Sequence, residues 1–310
     1  MADKTAKIPT RKQAYRDSSF GDRVFDICNY VFMLLLVVIT LYPFLNTLAV
    51  SMNSAMDSIR GGIYLWPREL SAENYKYIFK DSQIYQATLI SFLRMIIGTV
   101  VTVLCSAIVA YTISRQEFVL RRFITIAFVL TMYVNPGIIP NFLLIRDLHL
   151  VNSFWVYIWP GLIGVFNLIL IRSFIQTLPD SILESGRIDG AGDLKTFTHI
   201  VLPLLTPVLA TVALFSAVGH WNSWIDVFLY NSSNEKLSTL QYELQKILQN
   251  SSASTSKESA FNNPEAMSSM VTPLAVRASM TIVASVPMII MYPFFQRYFV
   301  KGMMVGGVKE

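Results

Sequence analysis

The feature that most restricts this chain is a series of long, nearly uncharged apolar runs, among them Val31-Phe-Met-Leu-Leu-Leu-Val-Val-Ile-Thr-Leu41. About 20 mostly apolar residues in a helix cross a hydrocarbon core ~30 Å thick. Six stretches reach that length: 27–50, 87–113, 123–144, 155–175, 200–221 and 279–299. The first is too long, and starts too late, for a cleaved leader. Composition agrees, because only 15% of residues are charged against about 25% in soluble domains. The expected fold class is all-α, a polytopic membrane protein with six transmembrane helices. An arm over 1–26 and a tail over 300–310 would flank a membrane domain over 27–299.

Basic residues set the orientation, since positive loops stay in the cytoplasm. Lys4, Lys7, Arg11, Lys12, Arg16 and Arg23 precede the first run; Arg115, Arg121 and Arg122 follow the second; Arg172, Arg187 and Lys195 follow the fourth; Arg297, Lys301 and Lys309 close the chain. The alternate loops hold fewer, spread over longer stretches. Both termini are therefore expected inside. The net charge of +5 is a topology signal with no clustered polar domain behind it, so nucleic acid is not an expected partner.

Two loops expected outside are long, 51–85 and 222–277. Within the second, Leu240, Leu244 and Leu248 give a short helix one apolar edge. It reads either as a flexible spacer or as a docking surface for an external partner. Cys28 and Cys105 sit in apolar runs of different segments and read as small core residues. His149, His199 and His220 show no metal-ligand spacing, so no metal site is expected.

The stretch between the fourth and fifth runs is the most informative. Ser181 and Glu184 have capping-box spacing, which predicts a helix from Ile182. Asp189-Gly190 predicts a sharp turn in which glycine supplies a backbone conformation other residues resist. A second helix is expected from Asp193, entering the membrane at Ile200, with Pro203 near the entry. Two helical pieces would thus meet at a bend, with Glu184 near its tip.

Glu184-Ser-Gly-Arg-Ile-Asp-Gly-Ala-Gly192, followed by Phe197, Ile200 and Leu202-Pro203, resembles the EAA loop of binding-protein-dependent ABC importer permeases. Glu184, Asp189, Gly190 and Ala191 match the pattern, while Ser185 and Gly186 replace its two usual alanines, small for small. The resemblance implies a MetI-like permease fold in which this loop couples to an ATPase through Glu184, Ser185, Gly186, Asp189, Gly190, Ala191, Phe197 and Pro203. Gly219-His-Trp-Asn-Ser-Trp224 and the ending from Phe295 to Lys309 are similar to the MalG-like, LplC-like carbohydrate-uptake branch. That branch implies a second permease, cytoplasmic ATP-binding subunits, an extracellular solute-binding protein and a carbohydrate cargo. It also implies a C-terminal tail that enters the ATPase interface. No Gly-x-x-x-x-Gly-Lys-Ser/Thr loop occurs, so no cofactor is expected on this chain; ATP and magnesium would sit on the partner.

The path for cargo is less legible. Asn135 and Asn141 flank Pro136-Gly137 and Pro140 in the third run, and a broken helix in lipid needs protein or water beside it. They read equally as a cavity wall or as packing polarity. Arg94 is costly at membrane depth and calls for a structural partner. His220, Trp221 and Trp224 lie at the outer end of the fifth run, where tryptophan either anchors at the interface or stacks on a sugar. Two rival functions stand beside the sugar importer. One is an ABC permease for an amino acid, peptide or metal ion. The other is a membrane enzyme using His220 and Asp226 for acid–base work.

Overall fold

A computed structural model describes residues 20–134, 136–188, 190–253 and 272–307. Asn135, Asp189 and the arm before Phe20 lie outside these. All the regular structure among the described residues is helical: α1 Phe20–Ser51, α2 Ala55–Ile59, α3 Glu73–Lys80, α4 Ser82–Ser114, α5 Arg121–Thr131, α6 Ile138–Asp147, α7 Val165–Ile175, α8 Asp180–Ile188, α9 Thr206–Asn222, α10 Ile225–Tyr230, α11 Leu240–Ala253 and α12 Pro273–Gly307. The first helix begins inside the expected N-terminal arm.

Three helices are long and apolar enough to cross a membrane: α1, α4 and the Pro273–Pro293 part of α12. Two bent pairs among the described residues reach that length only when each is taken together, Phe154–Gly161 with α7 at 49° and Asp193–Leu204 with α9 at 80°, as a broken span or a re-entrant loop would. The run at 123–144, expected as a sixth continuous span, instead forms α5 and α6 with a break between Thr131 and Ile138. Each piece has 11 or 10 residues, about 16 Å of helix against the ~30 Å required. Pro136 offers no N–H and restricts its predecessor, and Gly137 takes φ +86°, so the helix cannot run through.

The bundle is organised around α4, which packs on α7 and α9. Its buried face is rich in small residues, among them Ala87, Ser91, Gly98, Thr102, Ser106 and Ala110, with larger ones such as Met95 and Tyr111 between and beside them. Lipid tails are as apolar as leucine, so helices in a bilayer associate by close packing rather than by expulsion from water, and small residues let backbones approach. Gly98 shows the requirement directly. A Cβ there would fall 2.5 Å from Nε2 of His220 on α9.

The second fastening is ionic. Arg94 is buried on α4, and both of its terminal nitrogens donate to the two carboxylate oxygens of Asp226. Arg94 also donates to the Ser223 carbonyl at 3.1 Å, and its guanidinium lies 4.6 Å from the centre of the Tyr157 ring. The Ser223 hydroxyl and the Val227 N–H donate to the same carboxylate. The partner that Arg94 requires is thus supplied by Asp226 in α10, just after α9.

At the Ser82 end of α4, the two loops expected outside form a cap. The Ser91 hydroxyl accepts from the Leu240 N–H at 2.9 Å, and Gln83 donates to Glu243 at 3.1 Å. Leu240 and Leu244 are buried, with Leu248 packed beside them. The apolar edge read from the sequence is therefore a packed helix, not a spacer. In the 51–81 loop, Asn74 donates to the carbonyls of Ser51 and Asn53, and Ser279 on α12 donates to the Ser51 carbonyl. Asn53 donates to Asp57, which with Arg68 holds that carboxyl below its ordinary range.

By contrast α1 buries none of its apolar window and packs mainly on α12. Cys28, expected in a core, is accordingly exposed, while Cys105 on α4 is half-buried.

Two substitutions test these fastenings. Asp226→Asn leaves the Arg94 charge without its counter-ion, a loss of about 3 kcal/mol. It should appear as a clear drop in the thermal midpoint of the protein in detergent. Gly98→Ala forces the His220 ring out of place, with an overpacking cost of about 1–3 kcal/mol. A midpoint equal to the parent's would show that α4 and α9 have slack at that crossing.

Candidate functional site

The segment from Asp180 to Leu205 bends away from the bundle at the Ser114 end of α4, opposite the cap. It begins with α8, which starts at Asp180, two residues before the start expected at Ile182. Ser181 lies inside the helix rather than capping it, because Pro179 already accepts the first N–H, from Ile182, at 3.1 Å. Glu184 is exposed near the middle of α8. The side chain of Ser185 falls outside the described set.

The end of α8 is set by local chemistry. Gly190 adopts φ +72°, and the Ala191 N–H donates to the Gly186 carbonyl at 2.9 Å, five residues back. That is the longer bond of a Schellman ending, with glycine at the left-handed position where a Cβ would clash. Gly186 has a second role. It is buried, and a Cβ on it would lie 2.7 Å from Cδ1 of Ile200. The departure from the usual alanine therefore brings α8 close against the returning strand of chain.

That returning chain starts with a helical turn at Asp193–Lys195 and widens into a π-helical stretch, Thr196–Val201. Phe197 is buried there, its ring 5.1 Å from that of Tyr111 on α4. The helix expected to run straight on from Ile200 is bent instead. The chain turns by 80° between Leu204 and Thr206 before α9 begins. Two prolines make this corner. Pro207 has no N–H to offer the Pro203 carbonyl, and the Thr206 hydroxyl donates to that carbonyl instead, at 2.6 Å. Pro203 itself is exposed and lines an apolar groove of about 520 Å³ with Val103, Leu202 and Leu209.

The structure thus brings Gly186, Ala191 and Phe197 into one folded knuckle, with Glu184 and Gly190 exposed on it and Pro203 at its root. Arg115, read from the sequence only as a charge, and Asp193, read as a helix start, also belong here: their side chains approach to 3.6 Å. Neither has a motif that would announce the contact.

The expected path residues fare differently. Trp221 is buried, and its indole N–H donates to the Ala284 carbonyl on α12 at 2.9 Å. Its ring is packed between α9 and α12 rather than exposed at an interface. His220 is half-buried against Gly98, and Trp224 is half-buried beside Phe228. Asn141 is exposed on α6, which meets α10 where Phe142 stacks on Tyr230. Asp226, one half of the acid–base pair that an enzyme would use, has both carboxylate oxygens engaged by Arg94.

Comparison with known proteins agrees with this geometry. The chain is 35% identical, over 93% of its length and 99% of the relative's, to the polygalacturonan/rhamnogalacturonan transport system permease protein YtcP of Bacillus subtilis. It is 32% identical to Protein LplC of the same organism, over 93% of this chain and 95% of that one. A solved bacterial ABC transporter involved in import of the acidic polysaccharide alginate contains a similar chain. The TM-score is 0.81 and the identity 27%, covering 91% of this chain and 99% of that one. Residues 98–305 match the family described as binding-protein-dependent transport system inner membrane component. With its small-residue bundle, its apolar spans and its folded knuckle, this chain belongs to that family of ABC importer permeases.

Proposed function

We propose that this chain carries an oligosaccharide across the cell membrane as one half of a permease pair, driven by ATP hydrolysed on separate cytoplasmic subunits. The observation that carries the coupling reading is the knuckle over 180–205. It stands at the opposite end of α4 from the cap built by α3 and α11, so one helix links the two sides of the membrane. Assigning the knuckle to the cytosol follows the basic residues Arg115, Arg121, Arg122 and Lys195 near it. Both chain termini then lie inside.

Glu184 and the turn at Gly190 form the surface offered to the ATPase, and the C-terminal tail over 300–310, which begins within the end of α12, is a second contact. The cap on the other side receives a solute-binding protein. ATP binding on the partner biases the permease only if the two conformations hold the knuckle differently, since a ligand shifts an equilibrium by its differential affinity alone. Cargo of the carbohydrate class is supported by the relatives, whose names include polygalacturonan, rhamnogalacturonan and arabinooligosaccharide transport. Asn141, His220 and Trp224 remain the candidates on its route, with Asn135 next to them in sequence logic.

Proteoliposomes holding the complete transporter would test the cargo class. Uptake of acidic or neutral oligosaccharides, and not of peptides, is expected; the reverse would remove the sugar reading. Glu184→Lys reverses the charge at the dock, and Gly190→Val places a β-branched residue at φ +72°, a strain of about 1–3 kcal/mol. Both variants should insert normally yet lose ATP-driven uptake by about tenfold or more, which corresponds to roughly 1.4 kcal/mol of coupling. Parent-like transport by both would refute the coupling role.

A further inference from the structure

The knuckle is joined to the bundle by more than its own chain. Phe197 packs on Tyr111, and the guanidinium of Arg115, one turn further along α4, stands 5.3 Å from the centre of the same Tyr111 ring. Arg115 is only 12% exposed, yet its Nη2 lies 3.6 Å from Asp193 Oδ1 and its Nε lies 3.8 Å from Glu117 Oε2. Those separations are ion-pair distances rather than hydrogen bonds, and both carboxylates are mostly in water, so the pairing adds little to folding stability. Its value is geometric. A planar guanidinium held over a ring is stiff where a lysine stem would flex.

Two weak points flank this contact. On one side Gly190 and Gly192 form the turn after α8, and on the other the chain turns 80° at Leu205. A push on α8 would be absorbed at either corner unless something braced the piece between them. Phe197, Val201 and Leu205 anchor the buried end of the segment in the core, whereas a cavity of about 290 Å³ lies beside Tyr111, Arg115 and Asp193, so at the exposed Asp193 end the Arg115 contact stands beside open space.

We infer that Arg115 is a positioning residue, bracing the bent segment against α4 through Tyr111 and Asp193, so that movement of the knuckle turns α4 instead of flexing its own corners. α4 carries Arg94 and Gly98, the two contacts that fasten it to α9 and its C-terminal extension, so a turn of α4 is felt along the bundle. This inference rests on the coupling reading above and adds the element through which that coupling passes.

The test uses the complete transporter in proteoliposomes and reads ATP hydrolysed per sugar imported, alongside co-purification of the ATPase. Arg115→Gln should assemble normally and raise that ratio about fivefold or more. Arg115→Lys, keeping charge without the flat stack, should fall between. Asp193→Asn should raise the ratio less, and the Arg115→Gln, Asp193→Asn double variant should match Arg115→Gln alone, because both remove one brace. A parent-like ratio in Arg115→Gln overturns the inference, as does a fall in uptake matched by an equal fall in hydrolysis. Should Arg115→Gln fail to assemble, Asp193→Lys at the exposed end of the pair gives the reading: a raised ratio supports the brace and an unchanged one overturns it. Glu184→Lys run in parallel separates the two ideas. If it uncouples while Arg115→Gln does not, only the brace fails; if it transports normally, the coupling reading itself is lost.

Discussion

The structure depends on how closely α4 can approach its neighbours. In a bilayer, apolar side chains gain nothing by leaving lipid for a protein core, so contact area and shape must hold helices together. The stripe of small residues from Ala87 to Ala110 meets that demand. At Gly98 the His220 ring occupies the space a side chain would fill. Arg94 and Asp226 add a charged fastening one turn away. An unpaired charge at that depth would be expensive, so the pair sets which face of α4 meets α9 and its continuation. The cap at one end and the knuckle at the other are both hung on this frame.

The knuckle has a different physics. Its outer half is shaped by backbone chemistry: a left-handed glycine ends α8, a glycine without Cβ lets α8 lie on Ile200, and two prolines with one threonine hydroxyl make the corner into α9. An outer half exposed at Glu184 and Gly190 suits an element that a partner must grip and move. Its inner half is buried, with Phe197 on Tyr111 and Val201 and Leu205 in the same core, and it anchors the knuckle to α4.

Much of this was legible beforehand, and where it was not the reason can be named. Gly190 announced itself because glycine after aspartate opens the left-handed conformation that a sharp turn needs, and the leucines of α11 announced a packed edge by their spacing. The break at 132–137 was visible as Pro136 and Gly137, yet the flanking apolar residues still summed to one span, since hydropathy averaged over a window ignores a missing N–H. Ser181 had the spacing of a cap but lay after Pro179, which starts the helix first. Trp221 sat where an interface tryptophan would sit; only the approach of α12, far along the chain, turned it into a core residue.

By itself the sequence determined that the chain lives in a membrane, that most of its mass is helical, and that one polar loop ends a helix at Gly190 and bends. These are properties of neighbouring residues: transfer from water and the torsions a residue can adopt. What only the tertiary structure decided is which apolar surface is buried, that Arg94 meets Asp226, and that Arg115 comes to 3.6 Å from Asp193. Lipid-facing and protein-facing helix surfaces are equally apolar, and an ion pair between distant helices has no period along the chain. Nothing in local composition distinguishes them until the helices are packed.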